Sequence, residues 1–145
     1  NGDEVTLTQL LQPGPIVLYF YPADFTPGCT REACEIRDIY DDILSVGLRV
    51  VGVSPQDERS HVKFKEQHNL PFTLICDPNK IAVKMYDVDG PFGIGVTRVT
   101  YLVSQGQKIQ DALKADVKID KHKAFIEKAI ILRESAGLKV AKPPE

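Results

Sequence analysis

Two of the chain's three cysteines, Cys29 and Cys34, fall in one stretch, "YPADFTPGCTREACEIRD". The first follows Thr26-Pro27-Gly28, and a helical pattern opens near Gly28 or Cys29. A helix start leaves its first backbone N–H groups unpaired and carries roughly half a positive charge, so a thiolate there is stabilised over a thiol. The thiolate is the nucleophilic form, and an ordinary cysteine is only about 3% thiolate at pH 7. The neighbours suit an anion site: Pro27 fixes φ, Gly28 lets backbone approach a substrate, and the Thr26 hydroxyl can donate to a nearby oxygen or sulfur. The plainer alternative is a packed core thiol, against which stands the polar, turn-rich "ADFTPG".

Cys34 lies five residues further on, which in a helix turns it about 140° from Cys29 and raises it about 7.5 Å. Disulfides require Cα atoms within about 7 Å, so the two can join only if the first turns of the helix unwind. The Cys-x-x-Cys spacing of dithiol exchange is absent, and Cys34 also fits as a small residue on an apolar helix face. Cys76 closes "FTLIC" and reads as core; His61, His68 and His122 sit among charges and read as solvated. A metal site from Cys29, Cys34, Cys76 and a histidine lacks the paired spacing that structural zinc favours.

The bulk properties narrow the rest. A chain of 145 residues fits one domain with a core of its own. A net charge of -2 supplies no pull toward nucleic acid or an anionic membrane, and no apolar run nears the roughly 18 residues that span a bilayer. Three cysteines are too few and odd for a disulfide framework, which favours a reducing compartment.

The elements that would hold these residues alternate. "PIVLYFY" is a strand covered on both faces; "TREACEIRDIYDDILSVG" is one amphipathic helix up to Gly47; "LRVVGVS" is a second strand. A helix over 58–69 precedes "LPFTLICD", and "DPNKIAVKMYDV" holds a short helix. The glycine-rich "DGPFGIG" leads into two strands joined at Gln105-Gly106. A last helix carries Phe125, Ile126, Ala129, Ile130 and Leu132, and residues 138–145 form a solvated tail. This order predicts an α/β domain with a mixed sheet flanked by helices, of the thioredoxin-like type.

With those residues in view, the opening stretch resembles the peroxiredoxin segment Pro-x-x-x-Thr-x-x-Cys, carried by Pro22, Thr26 and Cys29. The Cys29 and Cys34 spacing is similar to that of the peroxiredoxin Q, or bacterioferritin comigratory protein, branch. The likeness runs through "VVGVSPQDERSHVKFKEQHNLPFTLICDPN" and "TRVTYLV" to the last helix. It implies a thiol peroxidase without a cofactor, in which Cys29 attacks the peroxide and becomes a sulfenic acid. Cys34 would then resolve it as an intramolecular disulfide, and thioredoxin or a similar dithiol protein would restore both thiols. Thr26 would position the peroxide and Pro22 would shield the site. Arg98 of "GVTRVTY" would support the thiolate; it is a cation in a β-branched strand, where an unpaired charge is costly. Glu32, one turn beyond Cys29, reads as a solvated helix-surface residue, with Arg98 or Arg31 as alternative partners.

The expected partners are a peroxide and a protein dithiol, with neither nucleic acid nor membrane; a monomer is expected, with a dimer left open. A cytoplasmic location is expected, with organellar targeting left open, because the family's N-terminal Gly-x-x-Ala-Pro-x-Phe segment does not precede "VTLTQLL" here. Two other functions remain: a disulfide carrier or redox sensor that passes oxidation to a partner, and a metal-binding module.

Overall fold

The computed structural model describes residues 5–137; the expected tail over 138–145 lies outside them. Five strands form one sheet in the order β3-β2-β1-β4-β5. Strand β1 (Ile16–Phe20) runs parallel to β2 (Arg49–Ser54), and β2 runs parallel to β3 (Thr73–Cys76). On its other side β1 pairs antiparallel with β4 (Val99–Val103), which pairs antiparallel with β5 (Ile109–Lys114). The sheet is mixed, and helices flank it as expected.

The continuous apolar run of β1 explains why it is central. Its period of two sends Val17 and Tyr19 into one core and Ile16, Leu18 and Phe20 into the other. The first core also takes Tyr21 from just past the strand, together with α2 (Pro27–Asp38), α4 (Glu58–His68) and α6 (Asp120–Ser135) through Ala33, Ile36, Phe64, Ile126 and Ile130. The second takes α1 (Leu7–Leu11) and α5 (Ile81–Met85) through Leu11 and Val83. Cys29 belongs to the first core, so the thiol sits under the layer formed by α2, α4 and α6.

Several elements differ from expectation. The long helix is broken: α2 ends at Asp38, Ile39 leaves helical geometry at φ -111 and ψ 12, and α3 (Tyr40–Ser45) follows. Helix α1 was not expected; the signal was Thr6-x-x-Gln9, a capping box in which each side chain accepts from the other's backbone N–H. Leu132 is exposed, because the buried stripe of α6 runs through His122, Ile126, Ala129 and Ile130. Cys76 is also exposed rather than core, as the last residue of the edge strand β3.

Candidate active site

Helix α2 opens with Thr26 as its extended N-cap and Pro27 in the first turn, one residue ahead of the expected start. The Thr30 N–H closes the first turn on the Thr26 carbonyl at 2.8 Å. Cys29 stands in that turn at 1% exposure, its sulfur turned inward rather than toward the loop. The loop before it is open: Phe25 is 44% exposed, Thr26 is exposed and Pro22 is half-buried. The Thr26 hydroxyl donates to the Ala23 carbonyl at 3.0 Å, and makes no cap bond to the helix.

Arg98 comes from the segment immediately before β4, the strand next to β1 in the sheet. Its N–H donates to Asp116 Oδ1 at 2.8 Å and its carbonyl accepts from the Ala115 N–H at 3.1 Å, which fixes the backbone. The guanidinium is buried and forks: Nη2 donates to Cys29 Sγ at 3.3 Å, and Nη1 donates to Glu32 Oε1 at 2.7 Å. Gly28 makes room for this fork, since a Cβ there would stand 3.2 Å from Arg98 Nη2. The residues 29 and 98, far apart in sequence, thus form one cation–sulfur pair at a helix N-terminus.

Glu32 overturns the surface reading. It is 1% exposed, on the face of α2 that packs under Arg98 and α6. Burial pushes its carboxyl up from the usual 4.5 to about 7, even with the Arg98 cation opposing the rise. Burial alone would lower Arg98, but the Glu32 and Cys29 charges outweigh it and keep the guanidinium firmly charged. His122, expected in solvent, is fully buried behind this pair, with Nδ1 3.5 Å from Glu32 Oε2. Its Nε2–H donates to the Ala115 carbonyl at 2.7 Å and its Nδ1 lies 2.7 Å from the Thr100 hydroxyl. Burial pushes its pKa down, which suits a neutral ring accepting from Thr100.

A second buried cluster anchors the loop and was missed in the sequence. Asp24 accepts from the Tyr21 hydroxyl at 2.6 Å and from the Ser60 hydroxyl at 2.7 Å, and meets His61 Nδ1 at 2.7 Å. His61 Nε2 faces the Ile75 carbonyl at 3.0 Å. Burial would raise the Asp24 carboxyl, but the hydrogen bonds from His61, Tyr21 and Ser60 outweigh it and hold it below its usual range. His61 is therefore not solvated: it is 3% exposed and ties the loop before Cys29 to α4. The available signal was spacing, because His61, Phe64 and His68 share one face of α4, as His122 shares one with Ile126 and Ala129.

All three cysteines are free. Cys34 is half-buried on the same intact helix as Cys29, five residues on, so the rise between them is about 7.5 Å. Its sulfur lies 3.8 Å from His68 Nδ1. Partial burial, with the carboxylates of Glu58, Asp24 and Asp57 nearby, pushes the Cys76 thiol up. Among the described residues no three His, Cys, Asp or Glu side chains are grouped to hold a metal ion. Nor is any described helix long and apolar enough to cross a membrane.

The chain's relatives share this arrangement of elements. The AhpC/TSA family profile matches residues 1–112. The chain is 43% identical over 110 residues to peroxiredoxin Bcp of Bacillus subtilis, covering 71% of this chain and 70% of that one. It is 38% identical over 132 residues to a putative peroxiredoxin bcp of Coxiella burnetii, covering 87% and 86%. Among solved structures, peroxidoxin BcpB of Mycobacterium tuberculosis superposes with a TM-score of 0.79 at 32% identity, over 89% of this chain and 84% of that one. The profile match and these identities show that the chain belongs to the peroxiredoxins of the AhpC/TSA family, thiol peroxidases, in their peroxiredoxin Q and bacterioferritin comigratory protein branch.

Proposed function

We propose that Cys29 is the peroxidatic thiolate and that Cys34 resolves it, in a peroxidase acting on hydrogen peroxide and organic hydroperoxides and recycled by thioredoxin or a similar dithiol protein. The observation that carries this reading is the Arg98 fork, 3.3 Å from Cys29 Sγ and 2.7 Å from Glu32. The Cys29 sulfur donates an electron pair to the terminal peroxide oxygen, the O–O bond breaks, and the departing alkoxide or hydroxide takes a proton. Charge grows on that oxygen, beside a fixed guanidinium and the first N–H groups of α2. Thr26 and Pro22 are assigned to the approach of the peroxide, Thr26 by releasing its hydroxyl from the Ala23 carbonyl to donate to substrate.

The sulfenic acid then meets the Cys34 sulfur: an S–S bond forms, the sulfenic hydroxyl leaves as water, and thiol-disulfide exchange restores two thiols. The reading sets the protein in a reducing compartment, as a single domain working on small peroxides and a protein dithiol. Peroxide consumption coupled to thioredoxin tests it. Cys29→Ser abolishes turnover; Cys34→Ser forms the sulfenic acid but is not recycled by thioredoxin. Turnover in Cys29→Ser contradicts the assignment, and recycling in Cys34→Ser moves the resolving role to Cys76 or to a second molecule. A disulfide carrier without peroxidase activity is the outcome in which exchange with thioredoxin persists and peroxide is not consumed.

A further inference from the structure

We infer that His68 takes the proton from Cys34 when Cys34 resolves the oxidised Cys29; the inference rests on the reading of Cys34 as the resolving thiol. Resolution needs a sulfur nucleophile, and a thiolate attacks far faster than a thiol. Nothing in α2 supplies this for Cys34 as the Arg98 fork does for Cys29. Cys34 stands past the first turn, where the N-terminal dipole has faded, and Arg98 is already shared between Cys29 and Glu32.

Help comes from α4. His68 Nδ1 lies 3.8 Å from Cys34 Sγ, within reach of an S–H hydrogen bond. Two further contacts hold His68 there. Arg37 Nη1, one turn beyond Cys34 on α2, donates to the His68 carbonyl at 2.7 Å, and the Phe64 ring meets the imidazole edge-on with centroids 5.3 Å apart. Arg37 is itself paired with Asp38 at 3.0 Å. The first part of α4 meanwhile holds the Asp24 loop through His61. One helix thus braces both the loop before Cys29 and the half of α2 that carries Cys34.

In the step proposed, the Cys34 S–H bond breaks, its proton passes to His68 Nδ1, and its electron pair forms the S–S bond with Cys29. The sulfenic hydroxyl leaves and is protonated to water, and His68 returns its proton to solvent. No oxidant beyond the peroxide already consumed is required.

The test is single-turnover oxidation of the full chain with one equivalent of hydrogen peroxide and no reductant. Sulfenic acid at Cys29 and the Cys29–Cys34 disulfide are followed separately by quench and mass spectrometry. Positioned proton transfer contributes about a hundredfold or more. In His68→Ala and His68→Gln, disulfide formation slows by at least about tenfold. The sulfenic acid persists, and its formation reports that each variant is folded. Added imidazole restores part of the rate in His68→Ala, which a merely structural role would not allow. Disulfide formation at the parent's rate in both variants overturns the inference, and so does slowing in His68→Ala that imidazole leaves unchanged. If the parent itself forms no Cys29–Cys34 bond, the resolving assignment falls, an outcome visible before any variant is made.

Discussion

Arg98 and Glu32 form a buried pair whose worth is read at two different steps. In the proposed reaction the guanidinium serves the reacting sulfur, and removing one such donor from a developing charge costs about a hundredfold or more in rate. Arg98→Met therefore slows oxidation of Cys29 by peroxide about a hundredfold, measured by stopped-flow at fixed pH. Glu32 is raised from 4.5 to about 7, mainly by burial. A carboxyl raised in the folded state favours folding most fully below pH 4.5 and loses that contribution as pH rises through about 7. Thermal melts of Glu32→Gln against the parent should thus show the variant gaining ground between pH 4.5 and about 7. A difference that does not change over this window contradicts the burial argument. The sequence made Cys29 and Arg98 legible because a thiol behind Thr-Pro-Gly and a cation amid β-branched residues each break their local pattern. Glu32 broke none: a glutamate one turn into a helix looks solvated until α6 and the segment before β4, distant in sequence, cover it.

Helix α2 carries the conflict at the scale of the element. It presents Cys29 to the Arg98 fork only while folded, and while folded it keeps Cys34 about 7.5 Å up the axis. The proposed disulfide can form only if its first turns melt, with the Asp24 and His61 anchor on one side and the Arg37 bond to the His68 carbonyl on the other. Hydrogen exchange should show amides from Thr30 to Cys34 protected in the reduced protein and unprotected once the disulfide forms. Amides of α4 should keep their protection in both states. Unchanged protection over Thr30 to Cys34 after oxidation contradicts the unwinding. The existence of α2 and its start were legible from period and turn residues. Its break at Ile39 and the anchors on α4 were not, because the backbone bends and tertiary contacts that set them leave no mark on helical spacing.

Over the whole molecule, one run of apolar residues takes the centre of a mixed sheet and is covered on both faces. That much was readable from "PIVLYFY" and the alternation of elements. The exposure of Cys76 and the burial of His61 and His122 were not, since each depends on where a sheet ends or which helix lies over it. The first core is closely packed over β2: a Cβ on Gly52 would stand 2.9 Å from both Leu74 and Tyr19. Gly52→Ala should therefore lower stability by about 1–3 kcal/mol in urea unfolding, as overpacking does. Tyr19 stacks on Tyr21, centroids 5.4 Å apart, so the displacement reaches the residue that holds Asp24. The central claim is that one folded site oxidises Cys29 and one local unfolding joins it to Cys34. Peptide mapping by mass spectrometry after one equivalent of peroxide, without reductant, tests it most directly. The account predicts a Cys29–Cys34 linkage with Cys76 unmodified; oxidation of Cys34 or Cys76 with Cys29 left as a thiol would contradict it.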